Sequence, residues 1–289
     1  PAVLEVDLEE AVVPLESVQV ALPQPEPEKQ DVVTEQKELP DANRIHQLFN
    51  TKGEKLPIVE TIVYKSRVAW LKGRPAWLSD YASHYETSRH FIARSLNGKP
   101  DYLKQDIAEG AKFNVLRTDI PLKFHLVVDA SRCKMWFYAI DDSNHSAILL
   151  KTYSVGLGRA DNKQASGLLT PLGKYSLGSR VAIYKPGTMG NHKGQKIEMV
   201  SVFGTRWIPF DKEIASTTAP AKGLGIHGVP WLKKADGSYA QDLKGLNDYY
   251  SDGCIRMDKE DVEELFAIII SKPTVVEIVK DFQQSEMAR

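Results

Sequence analysis

Cysteine is scarce. Two residues of that type, Cys133 and Cys254, in 289 positions make no disulfide framework, so a packed core must hold the fold. Neither sign of charge prevails: 37 Lys and Arg stand against 38 Asp and Glu, a net charge of −1. That balance lacks the basic face that nucleic-acid binding demands, and no nucleic-acid partner is expected. Long apolar runs are missing too. The longest clusters, such as LFAIII at 265–270, fall far short of the ~18 residues of a membrane span. The one basic, Gly-rich stretch, KPGTMGNHKGQK at 185–196, has no phosphate-loop pattern, which removes the usual sign of nucleotide binding. It reads as a solvated loop, or as a surface that meets anionic groups. What is present is ample hydrophobic content, 42%, in a length that suggests more than one domain or one domain with appendages.

Three textures follow one another. Residues 1–45 are acidic, Pro-containing and free of glycine. They show no sustained period and too little apolar surface to offset ordering entropy, so a disordered, extended linker is expected. Residues 56–117 form a small α+β module. IVYKSRVAWL is strand-like, and PAWLSDYASHY places Trp77, Leu78, Tyr81, Ala82 and Tyr85 on one helical face. TSRHFIARSLN gives a second helix with Thr87 or Ser88 as cap and Asn97-Gly98 as stop, before an apolar strand beyond Gly110. From 120 to 281 short strands alternate with glycine and turn signals, which predicts a mainly β domain, an antiparallel sheet or sandwich with one or two helices. Its helix has Asp258 as cap and Val262, Leu265, Phe266 and Ile269 as apolar face.

The polar turn Ser251-Asp252-Gly253-Cys254-Ile255-Arg256 sets a thiol behind a glycine, directly before that helix. Structural cysteines sit in apolar runs; this one is placed to react. A thiol becomes nucleophilic when a partner takes its proton. His227, in GLGIHGVPW, is the best-placed base, with Gly225 and Gly228 leaving room for a ligand. Amides around Asp252–Cys254 are candidates for an oxyanion hole. Cys133, between Arg132 and Lys134, has no such partner and reads as structural; a Cys133–Cys254 disulfide would silence the thiol. His125, His192, His227 and Cys254 show no zinc-ligand spacing, and no metal or other cofactor is expected.

These motifs carry two resemblances. His227-Gly228 with Ser251-Asp252-Gly253-Cys254-Ile255-Arg256 resembles the signature of YkuD-type L,D-transpeptidases. LKFHLVVDASRCKMWFYAI and the Thr170-Pro171…Gly173 segment resemble that family's opening hairpin and TPxG segment. WLSDYASHYETSRHFIARSLN with the later IAEGAKFNV resembles a LysM module; a helical spacer packed on the next domain is the other reading of 56–117. Asp252 departs from the family's usual His, and the stretch between His227 and Ser251 is longer than usual, so 229–250 is expected to form a lid.

The resemblance implies a YkuD-like β-sandwich, and catalytic roles for Cys254 (nucleophile), His227 (base), Ser251 (whose carbonyl would orient the imidazole) and Gly253. Arg256, Gly228, Asp252, Trp231 and Tyr250 would bind substrate. It implies peptidoglycan stem peptides and glycan strands as partners, a bacterial cell-envelope location facing the wall, and carbapenems as covalent inhibitors. Because the chain opens on Pro1, a membrane anchor upstream is carried as an expectation. Transfer of the acyl group to an amine would give 3→3 cross-links. Transfer to water would make an L,D-carboxypeptidase or endopeptidase, and loss of activity would leave a non-catalytic peptidoglycan-binding protein.

Overall fold

In the computed structural model the chain is described over residues 38–289. Positions 1–37 of the expected linker lie outside the described residues. Its last positions are ordered: the Trp136 indole donates to the Pro40 carbonyl at 2.7 Å, Thr152 N–H to Ala42 at 3.0 Å and Arg44 N–H to Leu150 at 2.7 Å. Ile45 and Leu48, the latter in the single turn α1 (His46–Phe49), are buried. This segment covers the open edge of a sheet, which otherwise presents unpaired backbone groups.

The small module runs β1 (Val59–Val63), α2 (Leu78–His84), α3 (Arg89–Asn97), β2 (Lys112–Leu116), with β1 and β2 antiparallel. Ser88 caps α3 by accepting the His90 N–H, and Gly98 closes it with φ 72°. Leu78 and Tyr81 point inward, but Trp77 is exposed: it is the cap residue of α2 and lies off the apolar face. The module has its own core of Tyr64, Leu78, Tyr81, Ile92 and Phe113. Its other face joins the main core through Leu56, Ile58, Phe91 and Leu116, so it is welded to the β domain.

The β domain proceeds through β3 (Leu122–Asp129), β4 (Lys134–Asp141), β5 (Ser146–Ser154), β6 (Leu157–Gly158), β7 (Gly173–Leu177), β8 (Ala182–Ile183), β9 (Met189–His192), β10 (Gln195–Glu198), α4 (Val200–Phe203), β11 (Arg206–Ala215), β12 (Gly225–Gly228), β13 (Trp231–Lys233), β14 (Tyr239–Gln241), β15 (Tyr249–Ser251), β16 (Ile255–Met257), α5 (Lys259–Ile269) and β17 (Thr274–Val279). The expected mainly β domain, an antiparallel sheet or sandwich, is built on one curled, mixed sheet of nine strands, ordered β16-β12-β11-β7-β17-β3-β4-β5 with β8 also on β11. The reason lies in β11. Its first half pairs with β8 and β12; past Pro209 it pairs with β7 through two register shifts. Such bulges bend a strand, and one bent strand joins what would have been two sheets. Strands β3 and β4 are buried at nearly every position because both faces of the sheet are covered. Asp258 caps α5, which lays Val262, Leu265, Phe266 and Ile269 on the sheet.

Asn114 on β2 is fully buried and donates through Nδ2 to the carbonyls of Leu48 at 2.9 Å and Asn50 at 3.0 Å, while Thr61 donates to its Oδ1. Asn114→Ala orphans these groups and should lower the unfolding free energy by about 2–4 kcal/mol, read as the shift of a urea midpoint.

Candidate active site

Sheet pairing brings the two halves of the motif together. β12 and β16 are parallel neighbours, with Ile226 opposite Ile255 and His227 opposite Arg256. The turn before β16 is stapled by Ser251, whose Oγ donates to the Cys254 carbonyl at 2.6 Å and accepts the Gly253 N–H at 3.1 Å. Gly253 has φ 119°, a conformation L side chains rarely adopt, and a Cβ there would stand 3.0 Å from the Leu169 carbonyl. Buried Thr170 donates to the Gly253 carbonyl at 3.0 Å and accepts the Gly158 N–H at 2.7 Å. The Thr-Pro segment thus acts as a prop for the cysteine turn.

His227 is 3% exposed. Its Nδ1 lies 2.8 Å from the Gly228 carbonyl. A carbonyl only accepts, so Nδ1 carries the proton and Nε2 is left as the acceptor. Burial pushes the imidazole pKa down to about 4, against the opposing pull of the Gly228 bond. Phe203 meets the ring edge-on at 5.4 Å and Trp207 stands at 6.0 Å. Cys254 is half-buried, with Sγ 3.7 Å from the Gly223 carbonyl. Burial pushes its thiol up to about 11, and hydrogen bonding from Gly225 and the charge of Arg256 offset this only in part. Both shifts favour a neutral thiol and a neutral imidazole at rest. Both line a cleft of about 340 Å³ with His192, Lys193, Trp207 and Arg256.

Several expectations change. The carbonyl that orients His227 belongs to Gly228; that of Ser251 accepts the Arg159 N–H instead. The Gly253 N–H is taken by Ser251 and is not free for an oxyanion. The space beside Gly225 is filled by Trp207 and the Ile208 carbonyl, and that beside Gly228 by Val262, so these glycines permit close packing, not ligand approach. Trp231 is absent from the cleft wall: it packs on Tyr239 at 6.4 Å under the Lys259 ammonium. Tyr250 is also off the wall, half exposed beneath the Arg256 guanidinium at 5.7 Å. Residues 229–250 contain the hairpin β13–β14, but the hairpin that reaches the cleft is β9–β10. Its Lys193-Gly194 turn has φ 50° and 79°, the two positive values of a type I′ turn. The solvated-loop reading of this stretch missed His192 and Lys193; a Lys-Gly pair between two short segments was the available signal. Asp252 does not face the thiol unopposed, since Lys193 and Arg159 each hold its carboxylate at 2.8 Å. The Lys193 hydrogen bond keeps that carboxyl below its usual range. Cys133 and Cys254 are both free. Elsewhere, ligand atoms of His125, Glu277 and Glu286 fall within 4.8 Å of one another, but Lys174 already pairs with Glu286.

A buried imidazole of fixed tautomer beside a cysteine on a constrained turn is equipped for acyl transfer through a thioester. Residues 123–278 match the L,D-transpeptidase catalytic domain called YkuD, and the chain belongs to that family. Among solved structures it is similar to the helical cell shape determining protein Pgp2 from Campylobacter jejuni, at 19% identity and a TM-score of 0.35. It is also similar to Bd1075 from Bdellovibrio bacteriovorus, at 14% identity and a TM-score of 0.37. In each case 55% of this chain and 48% of the other are covered, so the chain spans about half the length of these structures. No curated protein matches the chain.

The buried imidazole makes stability pH-dependent. The unfolded chain takes up the His227 proton near pH 6.5, whereas the folded protein refuses it until about pH 4. Protonation therefore favours unfolding, and stability falls as pH drops through that window. His90, also pushed down to about 4 by burial, acts in the same sense. The unfolding free energy, followed by urea titration from pH 7 to 4, should fall. His227→Gln should remove up to roughly 3 kcal/mol of that fall.

Proposed function

We propose that the chain is a peptidoglycan L,D-transpeptidase of the cell envelope, with Cys254 as nucleophile and His227 as general base. The observation that carries this reading is the Gly228 carbonyl on Nδ1, which leaves Nε2 as proton acceptor in the cleft that holds Cys254. Sγ attacks the carbonyl carbon between the third residue of a stem tetrapeptide and its terminal D-Ala, and the thiol proton passes to Nε2. Because the pair starts neutral, that transfer accompanies attack. The amides of Asp252 and Cys254 meet the oxyanion. Collapse breaks the C–N bond, the imidazolium returns its proton to the departing amine, and D-Ala leaves a thioester on Cys254. The side-chain amine of another stem's third residue, meso-diaminopimelate in this family, then attacks, giving up a proton to His227 and releasing the thiol. The product is a 3→3 cross-link; with water the same thioester gives a carboxypeptidase. Arg256, on the cleft wall beside His227, is assigned to a substrate carboxylate.

Lys193 and Arg159 compensate Asp252, the feature that favoured a non-catalytic binding protein, and this supports the catalytic reading. The β1-α2-α3-β2 order supports a LysM-like module that holds glycan strands. Among the described residues no helix is long and apolar enough to cross a membrane.

Purified disaccharide-tetrapeptide, incubated with the protein and resolved by mass spectrometry, should yield cross-linked dimers lacking one D-Ala. Cys254→Ala and His227→Gln should each reduce the yield by at least a hundredfold. Tripeptide without dimers would move the reading to a carboxypeptidase, and unchanged substrate beside a folded protein would reject it. A carbapenem should add its mass to Cys254 of the native protein; an unmodified intact mass would count against acylation there.

A further inference from the structure

Arg206 opens β11 and is 1% exposed, an unusual burial for a guanidinium. Its charge is met from the small module: Nη2 donates to Asp101 Oδ1, in the segment after α3, at 2.5 Å. Asp101 Oδ1 is also 3.5 Å from His90 Nδ1, and Glu263 of α5 lies 3.7 Å from Arg206 Nη1. The guanidinium lies over Phe266 at 5.3 Å and gives a second hydrogen bond to the Thr205 carbonyl at 2.8 Å. A buried arginine without its carboxylates is costly; Asp101, the nearer of the two at 2.5 Å against 3.7 Å for Glu263, is the stronger hold on where this residue sits.

The same short segment grips the catalytic imidazole. Phe203 and Trp207, on either side of Arg206 in the chain, meet His227 at 5.4 and 6.0 Å. Between them Gly204, at φ 59°, lies against the Gly228–Val229 backbone: a Cβ there would be 2.8 Å from the Gly228 carbonyl carbon, 2.9 Å from the Gly228 Cα and 2.5 Å from the Val229 oxygen. Thr205 is pinned on its far side by Glu263, to which its Oγ1 donates at 2.8 Å. Asp101, Arg206, Thr205 and Gly204 thus form one contiguous run that ends on the carbonyl holding His227 Nδ1.

We propose that Asp101 and Arg206 are positioning residues for His227, so that the small module completes the geometry of the catalytic site in addition to any part it takes in glycan binding. The inference rests on His227 as the base for its catalytic consequence. Its test reads the imidazole directly and stands or falls apart from the choice of substrate.

The full chain, ¹⁵N-labelled, should show a His227 Nδ1–H slow to exchange with water. Asp101→Asn keeps the shape and one acceptor oxygen but removes the charge; Arg206→Met removes the guanidinium. In both, Nδ1–H exchange should accelerate at least tenfold in the folded protein, and Asp101→Glu should recover part of the protection. Lys272→Met is the control, since Lys272 joins the module elsewhere, to Glu86 at 2.9 Å. It should leave the exchange unchanged. Turnover of the tetrapeptide should lose kcat with little change in KM for Asp101→Asn. Unaltered exchange in folded Asp101→Asn would overturn the proposal. So would equal acceleration by Lys272→Met, which would mean that any loosening of the module has the same effect.

Discussion

The hydrogen bond from His227 Nδ1 to the Gly228 carbonyl is the constraint on which the site depends. It spends the only proton of a buried neutral imidazole on the backbone, and so decides that the cleft is offered a lone pair and not a donor. The bond is local, between a residue and its successor, yet it holds only while the Gly228 peptide stays in place. That peptide is fixed by its pairing with β16 on one side and by the Gly204 backbone and Val262 on another. The His227 imidazole is therefore oriented by the sheet and helix packing of the whole domain; among the described residues no carboxylate pairs with it in the manner of a three-residue triad.

Burial sets how such a pair works. It lowers the imidazole to about 4 and raises the thiol to about 11. Charge separation at rest is thus disfavoured on both partners, and in the proposed reaction the thiolate would form as the substrate carbonyl is attacked. A neutral resting thiol is less open to stray oxidation and alkylation than a thiolate. Under the proposed mechanism substrate would complete the site, through the carbonyl that accepts the sulfur and the amides assigned to the oxyanion. The cations at the cleft, Arg256 and Lys193, lower the thiol without reversing the effect of burial, and Asp252 opposes them.

Residues with distinctive chemistry were legible in the sequence. Cys254 and His227 stood out as candidates by type and setting, and the fold brings both to one cleft; the helix caps Ser88, Gly98 and Asp258 followed from simple local rules. What could not be read was carried by atoms common to every residue. The carbonyl that orients His227 has no letter of its own, and the sequence gives no reason to prefer Gly228 over Ser251. Thr170 was recognised as part of a motif, but its bond to the Gly253 carbonyl depends on a loop crossing that only the fold supplies. The sandwich became one sheet because bulges in β11 bend it, and bulges leave little trace in hydrophobic alternation. Trp231 and Tyr250 suggested a groove by their aromaticity, whereas their rings lie against the Lys259 and Arg256 cations and off the cleft wall.

The measurement that bears most directly on this account is the ionisation of Cys254 itself. Thiolate absorbance in the near ultraviolet, titrated from pH 5 to 11.5 as the difference between the native protein and Cys254→Ala, cancels the contribution of Cys133. A neutral resting pair predicts no difference signal at pH 7 and a rise still incomplete above pH 10, consistent with a thiol near 11. A thiolate already formed at pH 7 would contradict it, and would mean that the imidazole and the cations at the mouth hold a resting ion pair.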